Sequence, residues 1–304
     1  MEESGHYYTV YFTSLAVGFA EDVAYQQAVM AQMPDEVGWL DAANLHTDEC
    51  LGFKEYDLNS NKVKVPNEWR YLVEYALHSL PDKRTANTSS DYQRGVTRKL
   101  LLQESPVSLK FGMLLHRLGD TYAHSIMGNE KKMYTVAENT DVCSSLDSLG
   151  HARDSHNPDY PFLRPGLFYL YLDDLYNILL KKVNSPESQL YRRRMLSVLS
   201  ADNIKKIFHD ILEDPNGMVM FSLMNNMVYG SSYTMTQQML IDQIRKAAVK
   251  YLKVEMKPYA PEKSGGLTLR EFLSQHEELR QMGINPDSIT NSLNSIYKGV
   301  TTGN

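Results

Sequence analysis

The sequence predicts an all-α fold. Apolar side chains recur at helical spacing in nearly every segment. Helix starts are marked by Ser, Thr or Asn followed by Pro, or by Glu or Gln three residues on. Alternating strand patterns are scarce, Lys62-Val63-Lys64-Val65 being the best and a short one.

In chain order, residues 7 to 33 carry small and apolar side chains at helical spacing, with Glu21 and Asp22 opening a second helix after Gly18. Pro66 starts a segment that runs through Trp69, Leu72 and Val73 to Leu80. Ser105 and Pro106 suit the cap and first turn of an apolar helix that reaches His124. Ser185-Pro186-Glu187 repeats the device for a helix over 187 to 199. Thr234-x-x-Gln237 and Thr268-x-x-Glu271 fit capping boxes for helices near 235 to 256 and 269 to 281, and Asn285-Pro286 opens a last short helix. Residues 46 to 65 and 126 to 162 are long polar loops of the kind that carries function. Residues 257 to 267 read as a linker, which divides the chain into a domain over 1–256 and a helical hairpin over 257–304 packed on it.

The chain has 304 residues, is 42% hydrophobic and carries a net charge of −6. That acidity gives no broad nucleic-acid footprint. The basic cluster Tyr191-Arg192-Arg193-Arg194 reads as a solvated helix face. The two cysteines, Cys50 and Cys143, form no zinc knuckle, so any metal falls to His and carboxylate. The N-terminal residues show no signal-peptide pattern, and no window reaches roughly 18 apolar residues. A cytoplasmic chain is expected, with export by a route that needs no cleaved signal left open.

The chemistry concentrates in Leu115-His116-Arg117-Leu118-Gly119-Asp120-Thr121-Tyr122-Ala123-His124. Residues four apart drift by about 40° around a helix, so His116, Asp120 and His124 leave one face. The two histidines are separated by about 12 Å along the axis, too far to share one ion whose bonds are about 2 Å. Asp120 lies between them and could bridge, which favours at least two metals over a polar seam between helices. The loop Gly150-His151-Ala152-Arg153-Asp154-Ser155-His156-Asn157-Pro158-Asp159 offers a second half-site. Asp159 there stabilises the turn or orients a histidine. Taken singly, His78 suits a helix C-terminus, Asp35 a helix cap, and His6 nothing in particular. His209-Asp210 forms a weak HD dipeptide, and His46 and His276 read as surface residues.

In order, His6, Asp35, His78, His116-x3-Asp120-x3-His124 and the 151 to 156 cluster resemble the ligand series of the zinc-dependent phospholipases C and single-strand-specific zinc nucleases. The Asp-Thr-Tyr-Ala-His-Ser and Gly-His…His-x-Pro-Asp stretches look closest to an uncharacterised bacterial branch of that superfamily. The resemblance covers roughly residues 6 to 160 and implies a multi-helix phospholipase C-like core holding two or three zinc ions. By position, it places one zinc on Asp35, His78, His116 and Asp120. A second falls on His124 and His151, completed by His156 or Asp154, and a third on His6 and the shared Asp120.

The implied activity is hydrolysis of a phosphodiester by metal-activated water, with Asp35, Asp120 and Asp154 as the catalytic carboxylates. A lipid head group, with transient contact to a membrane surface, is preferred to single-stranded nucleic acid because the chain is acidic. A non-catalytic helical protein with structural metal sites is the remaining alternative. Tyr160-Pro161-Phe162, Phe168-Tyr169-Leu170-Tyr171 and the stripe Met218, Met220, Met224 and Met227 either wall the substrate or fill the core.

Overall fold

A computed structural model describes residues 1–42, 45, 56–57, 60–63, 69, 71–81, 87–136, 157–193, 198–213, 232–259 and 266–303. The chain is predominantly helical, as the sequence predicts. A π-helical turn over Ser4–Thr9 leads into α1 (Val10–Val17) and α2 (Glu21–Glu36). Gly18 joins them at φ +106°, a left-handed conformation that favours glycine. A small hairpin, β1 (Tyr56–Asp57) and β2 (Ser60–Val63), precedes a second π-helical turn over Leu72–Leu77. Then come α3 (Ser90–Gln103), α4 (Leu109–Ala123), a hairpin of β3 (Ser125–Ile126) and β4 (Asn129–Met133), and α5 (Pro165–Val183). The chain finishes with α6 (Ala201–Leu212), α7 (Ser232–Ala247), α8 (Leu269–Gln275), α9 (Glu277–Gln281) and α10 (Pro286–Thr302).

α4 is the central helix. It packs on α2, α3, α5 and α10, and its Phe111, Leu114, Leu115 and Leu118 are fully buried. Its contact with α2 is close enough that a Cβ on Gly112 would overlap Met30 Cβ. α10 lies across α3, α4 and the Leu72–Leu77 turn, so Phe272, Ile289, Leu293 and Ile296 share one core with the N-terminal helices. No helix among the described residues is long and apolar enough to cross a membrane.

Several element ends differ from the sequence reading. The cap of α4 is Ser108, whose hydroxyl accepts from Phe111 N at 3.1 Å, because residues 105–107 form a turn closed by Ser108 N to Ser105 O. The helix expected over 187 to 199 is a 3-10 turn over Pro186–Tyr191. Beyond it the backbone pairs with the open end of α1, Ala20 N donating to Tyr191 O and Arg193 N to Gly18 O, so Arg192 and Arg193 leave a bridge and not a helix face. The segment expected from Pro66 is described as helical only at Trp69, Tyr71 and the Leu72–Leu77 turn.

Thr234 lies inside α7, which ends at Ala247 and passes into a π-helical turn over Ala248–Leu252 before Lys253 turns left-handed. The Thr268–Glu271 capping box forms as expected, but the helix breaks at His276. The final helix is 17 residues long, secured by a reciprocal Asn285–Ser288 box. Of Lys62-Val63-Lys64-Val65, the first two residues lie in β2. Met218, Met220, Met224, Met227, His46, Cys50 and Cys143 lie outside the described residues.

His276 is a core residue rather than a surface one. It breaks α8 from α9 because its ring turns inward, stacking on Tyr259 and abutting Phe272, with Nδ1 3.1 Å from the Tyr25 hydroxyl. Burial pushes its pKa down to about 4, against a small opposing pull from Glu278. Between that value and the ordinary 6.5 the unfolded chain binds a proton that the folded chain does not. Stability is therefore expected to fall as pH drops from 6.5 towards 4, and His276→Gln to flatten that part of a Tm-against-pH profile. Gly112→Ala, at the tightest contact of α2 and α4, is expected to cost about 1–3 kcal/mol in urea unfolding.

Candidate metal centre

Four elements deliver their polar side chains to one buried point. The Ser4–Thr9 turn brings His6, the last turn of α2 brings Asp35, His78 caps the Leu72–Leu77 turn, and α4 brings His116 and Asp120. Asp35 is no helix cap. It follows Pro34 inside α2, where the missing N–H loosens the last turn. Gly119 makes room for His6, since a Cβ there would stand 2.8 Å from His6 Cε1. The His6 and His116 rings stack at 4.0 Å between centroids.

Three of the histidines are oriented by backbone carbonyls, whereas His6 is held by its stacking on His116. The ring nitrogens pair with carbonyls as His116 Nδ1 with Ala31 O (2.8 Å), His78 Nε2 with Leu40 O (2.8 Å) and His124 Nδ1 with His78 O (2.6 Å). A ring N–H donated to a carbonyl leaves the other nitrogen's lone pair free, the arrangement by which proteins fix metal-binding tautomers. For His116 and His78 that free nitrogen faces Asp120.

The acceptors form two nests that share both carboxylates. In the first, His78 Nδ1 and His116 Nε2 are 3.1 Å apart, and each is 3.1 Å from Asp120 Oδ2. Asp35 Oδ1 closes this nest at 3.9 Å from His78 and 3.7 Å from His116. In the second, His6 Nε2 stands 3.0 Å from the other Asp120 oxygen, Oδ1, and 3.9 Å from the other Asp35 oxygen, Oδ2. The Met1 ammonium nitrogen stands in that second nest, 2.6 Å from His6 Nε2 and 2.5 Å from Asp120 Oδ1. Among the described residues, the groups whose ligand atoms lie close enough together to hold a metal ion are His78, His116 and Asp120 of the first nest, and His6 and Asp35 together with His116.

Burial sets the protonation states. It pushes His116 down to about 4, and it pushes His6 well below its ordinary value with help from neighbouring His116. Burial alone would raise Asp120, but the Met1 ammonium and the surrounding histidines bring it well below the usual carboxylate range. The ammonium in turn is raised to about 11 against its own burial by Asp120 and Asp159. Burial holds Asp35 well above the ordinary value, and Asp120 adds to it. Asp120 is 1% exposed and Asp35 32%, so solvent reaches the cluster from the Asp35 side.

His124 sits at the C-cap of α4, beside the cluster rather than within it. Its Nε2 lies 3.6 Å from Asp159 Oδ1, and Asp120 and Asp159 raise its pKa against burial. The partners expected for it, His151, Asp154 and His156, lie outside the described residues. His209 is exposed on α6 and pairs with Glu213 at 3.0 Å, away from the cluster. Tyr171 and Phe168 are core residues, and the Tyr171 hydroxyl donates to Gly5 O at 3.4 Å.

Residues 1–206 match DUF6765, a family of unknown function. The chain belongs to that family. No curated protein and no solved structure matches it. Every residue of the two nests falls inside the matched segment, whereas α7 to α10 lie beyond it.

Two supporting residues carry no signal in the ligand pattern. Gly119 lies beside the stripe, where a small residue marks a close approach. Arg117 is fully buried, its guanidinium donating to Tyr75 O, Thr97 Oγ1 and Gln93 Oε1, and so ties α4 to the turn that carries His78. Burial lowers its pKa to about 10. Arg117→Met leaves those acceptors without a donor and is expected to cost about 2–4 kcal/mol in urea unfolding.

Proposed function

We propose that the protein is a metal-dependent hydrolase of phosphodiesters built on a pair of divalent ions, with zinc the expected metal. The observation that carries this reading is the division of Asp120 and Asp35, each giving one oxygen to each nest. A tetrahedral ion with bonds of about 2.0–2.1 Å sets its ligand atoms about 3.3 Å apart. The distances of 3.1, 3.1, 3.1, 3.7 and 3.9 Å in the first nest bracket that spacing. Buried histidines with one nitrogen already committed to a carbonyl and a carboxylate shared between sites suit N/O coordination. The second nest, which draws on the same two carboxylates, already holds a cationic nitrogen, the Met1 ammonium.

A pair of divalent ions supplies Lewis acidity towards phosphoryl oxygens and acidifies water. The chain's own groups do the rest. His6, His78 and His116 hold fixed directions, Asp120 keeps two positions at a set separation, and Asp35 faces the solvent entrance where a proton can be passed out. The phosphodiester class rests on the resemblance of the His-x3-Asp-x3-His helix and its upstream partners to the phospholipase C and nuclease superfamily. Lipid head groups are preferred over single-stranded nucleic acid because the chain is acidic.

Elemental analysis of protein purified without chelator is expected to give two or more divalent ions per chain. Added zinc is expected to support hydrolysis of bis-p-nitrophenyl phosphate, with phosphatidylcholine and single-stranded DNA as competing natural substrates. Asp120→Asn is expected to abolish turnover and lower the metal count together. Unchanged metal content and activity in that variant would remove the shared-carboxylate assignment, and bound metal without turnover on any of the three substrates would leave a structural centre instead.

A further inference from the structure

Three helix ends meet on one face of the protein. Gly18 closes α1, α5 ends at Val183, and α7 runs through its π-helical turn to Leu252. Two arginines tie them together. Arg192 Nε donates to Val183 O at 2.7 Å and Arg193 Nη2 to Leu252 O at 3.3 Å, while Arg193 N donates to Gly18 O. Open carbonyls and the negative ends of helices account for these two cations.

They do not account for the rest of the face. Two open grooves adjoin here, one of about 240 Å³ bordered by Arg192, Arg193, Val198 and Tyr251, the other of about 390 Å³ bordered by Arg245, Lys246, Val249 and Lys250. Val249 and Lys250 run straight on into Tyr251, which makes the two grooves one surface. Its walls carry five cations against two carboxylates, Asp242 and Glu255, in a chain whose net charge is −6. Asp242 is turned to Gln238, whose Nε2 donates to it at 3.0 Å. Arg245, Lys246 and Lys250 form no ion pair among the described residues, whereas Arg98, Lys110, Lys205, Lys257 and Arg280 each lie 3.0 Å or less from a carboxylate oxygen. The positive charge of the face is therefore left for something outside the chain.

Apolar side chains stand among these cations. Val198, Val249 and Tyr251 are 52%, 51% and 40% exposed, and Lys250 Nζ lies 4.8 Å from the centre of the Tyr251 ring. A nucleic-acid backbone would use the cations but gain nothing from two aliphatic valines. An anionic bilayer uses both: its phosphates attract Lys and Arg, and the valines and the tyrosine ring suit the headgroup layer.

We propose that this face docks on a bilayer containing anionic phospholipid, with Arg192, Lys246 and Lys250 over the headgroups and Val198, Val249 and Tyr251 entering between them. None of these residues belongs to the two nests, so the inference does not require that the centre cleaves lipid.

Vesicle flotation of the full chain tests it, with vesicles of phosphatidylcholine alone and of phosphatidylcholine mixed with phosphatidylglycerol. Binding to the mixed vesicles is expected to be at least about tenfold tighter, and to weaken as salt is raised. Each Lys or Arg close to such a surface strengthens binding about fivefold, so Lys246→Gln combined with Lys250→Gln is expected to weaken it at least about tenfold. Val249→Asn keeps every charge and is expected to weaken binding about fivefold through lost apolar contact. All three positions are exposed, so Tm and metal content are expected to stay as in the parent chain. Absence of binding, binding indifferent to lipid charge, or binding unchanged by either variant would overturn the proposal. So would duplex DNA bound more tightly than the mixed vesicles, which would make the face a nucleic-acid contact.

Discussion

The structure depends on keeping one carboxylate ionised out of water. Asp120 is almost wholly buried in the middle of α4, and an isolated charge there would be prohibitive. Its two oxygens are therefore met on separate sides, Oδ2 by His78 and His116 and Oδ1 by His6 and the Met1 ammonium. Two chain segments far from α4 in sequence, the N-terminal turn with Met1 and His6 and the turn that ends at His78, are drawn to this one residue. A cluster so rich in carboxylate oxygens and imidazole nitrogens, open to solvent at Asp35, is compensated best by cations.

The helix pair α2 and α4 makes that convergence possible. Their backbones approach at Gly112, which sets Ala31 O against His116 Nδ1 and turns the ring's other nitrogen to Asp120. One turn beyond Ala31, the same approach lays Asp35 across both nests. Gly119 does for the Ser4–Thr9 turn what Gly112 does for α2, allowing the His6 ring to lie against α4. Arg117, on the far side of α4, fixes the helix to the segment that carries His78. Packing and ligand geometry are in this sense one arrangement: a shift of α2 that spoils the core also moves Asp35 and the carbonyl that orients His116.

The helical class and the His116–Asp120 pairing were legible because each depends on local spacing. Thr268 with Glu271 and Asn285 with Pro286 marked true helix starts for the same reason. Failures came where a non-local partner won. Ser105 lost to Ser108 because a turn consumed its backbone, and Arg192 and Arg193 were taken by the open end of α1. His276 looked exposed in a polar stretch, yet the rings of Tyr25 and Tyr259, distant in sequence, and of Phe272, one turn back, enclose it. Asp35 read as a cap, although its neighbours across space make it a second shared carboxylate.

By itself the sequence determined that α4 would present His116 and Asp120 on one face, since a 3.6-residue repeat allows nothing else. It also supplied, in order, the residues that meet them. Only the tertiary structure decided that Asp120 divides its oxygens between His6 and the His78–His116 pair, that Asp35 does likewise, and that His124 turns towards Asp159. Helical periodicity fixes the direction in which a side chain leaves its own helix. What it meets there depends on how closely two backbones approach, and in this protein that was set at Gly112 and Gly119, where no side chain stands between them.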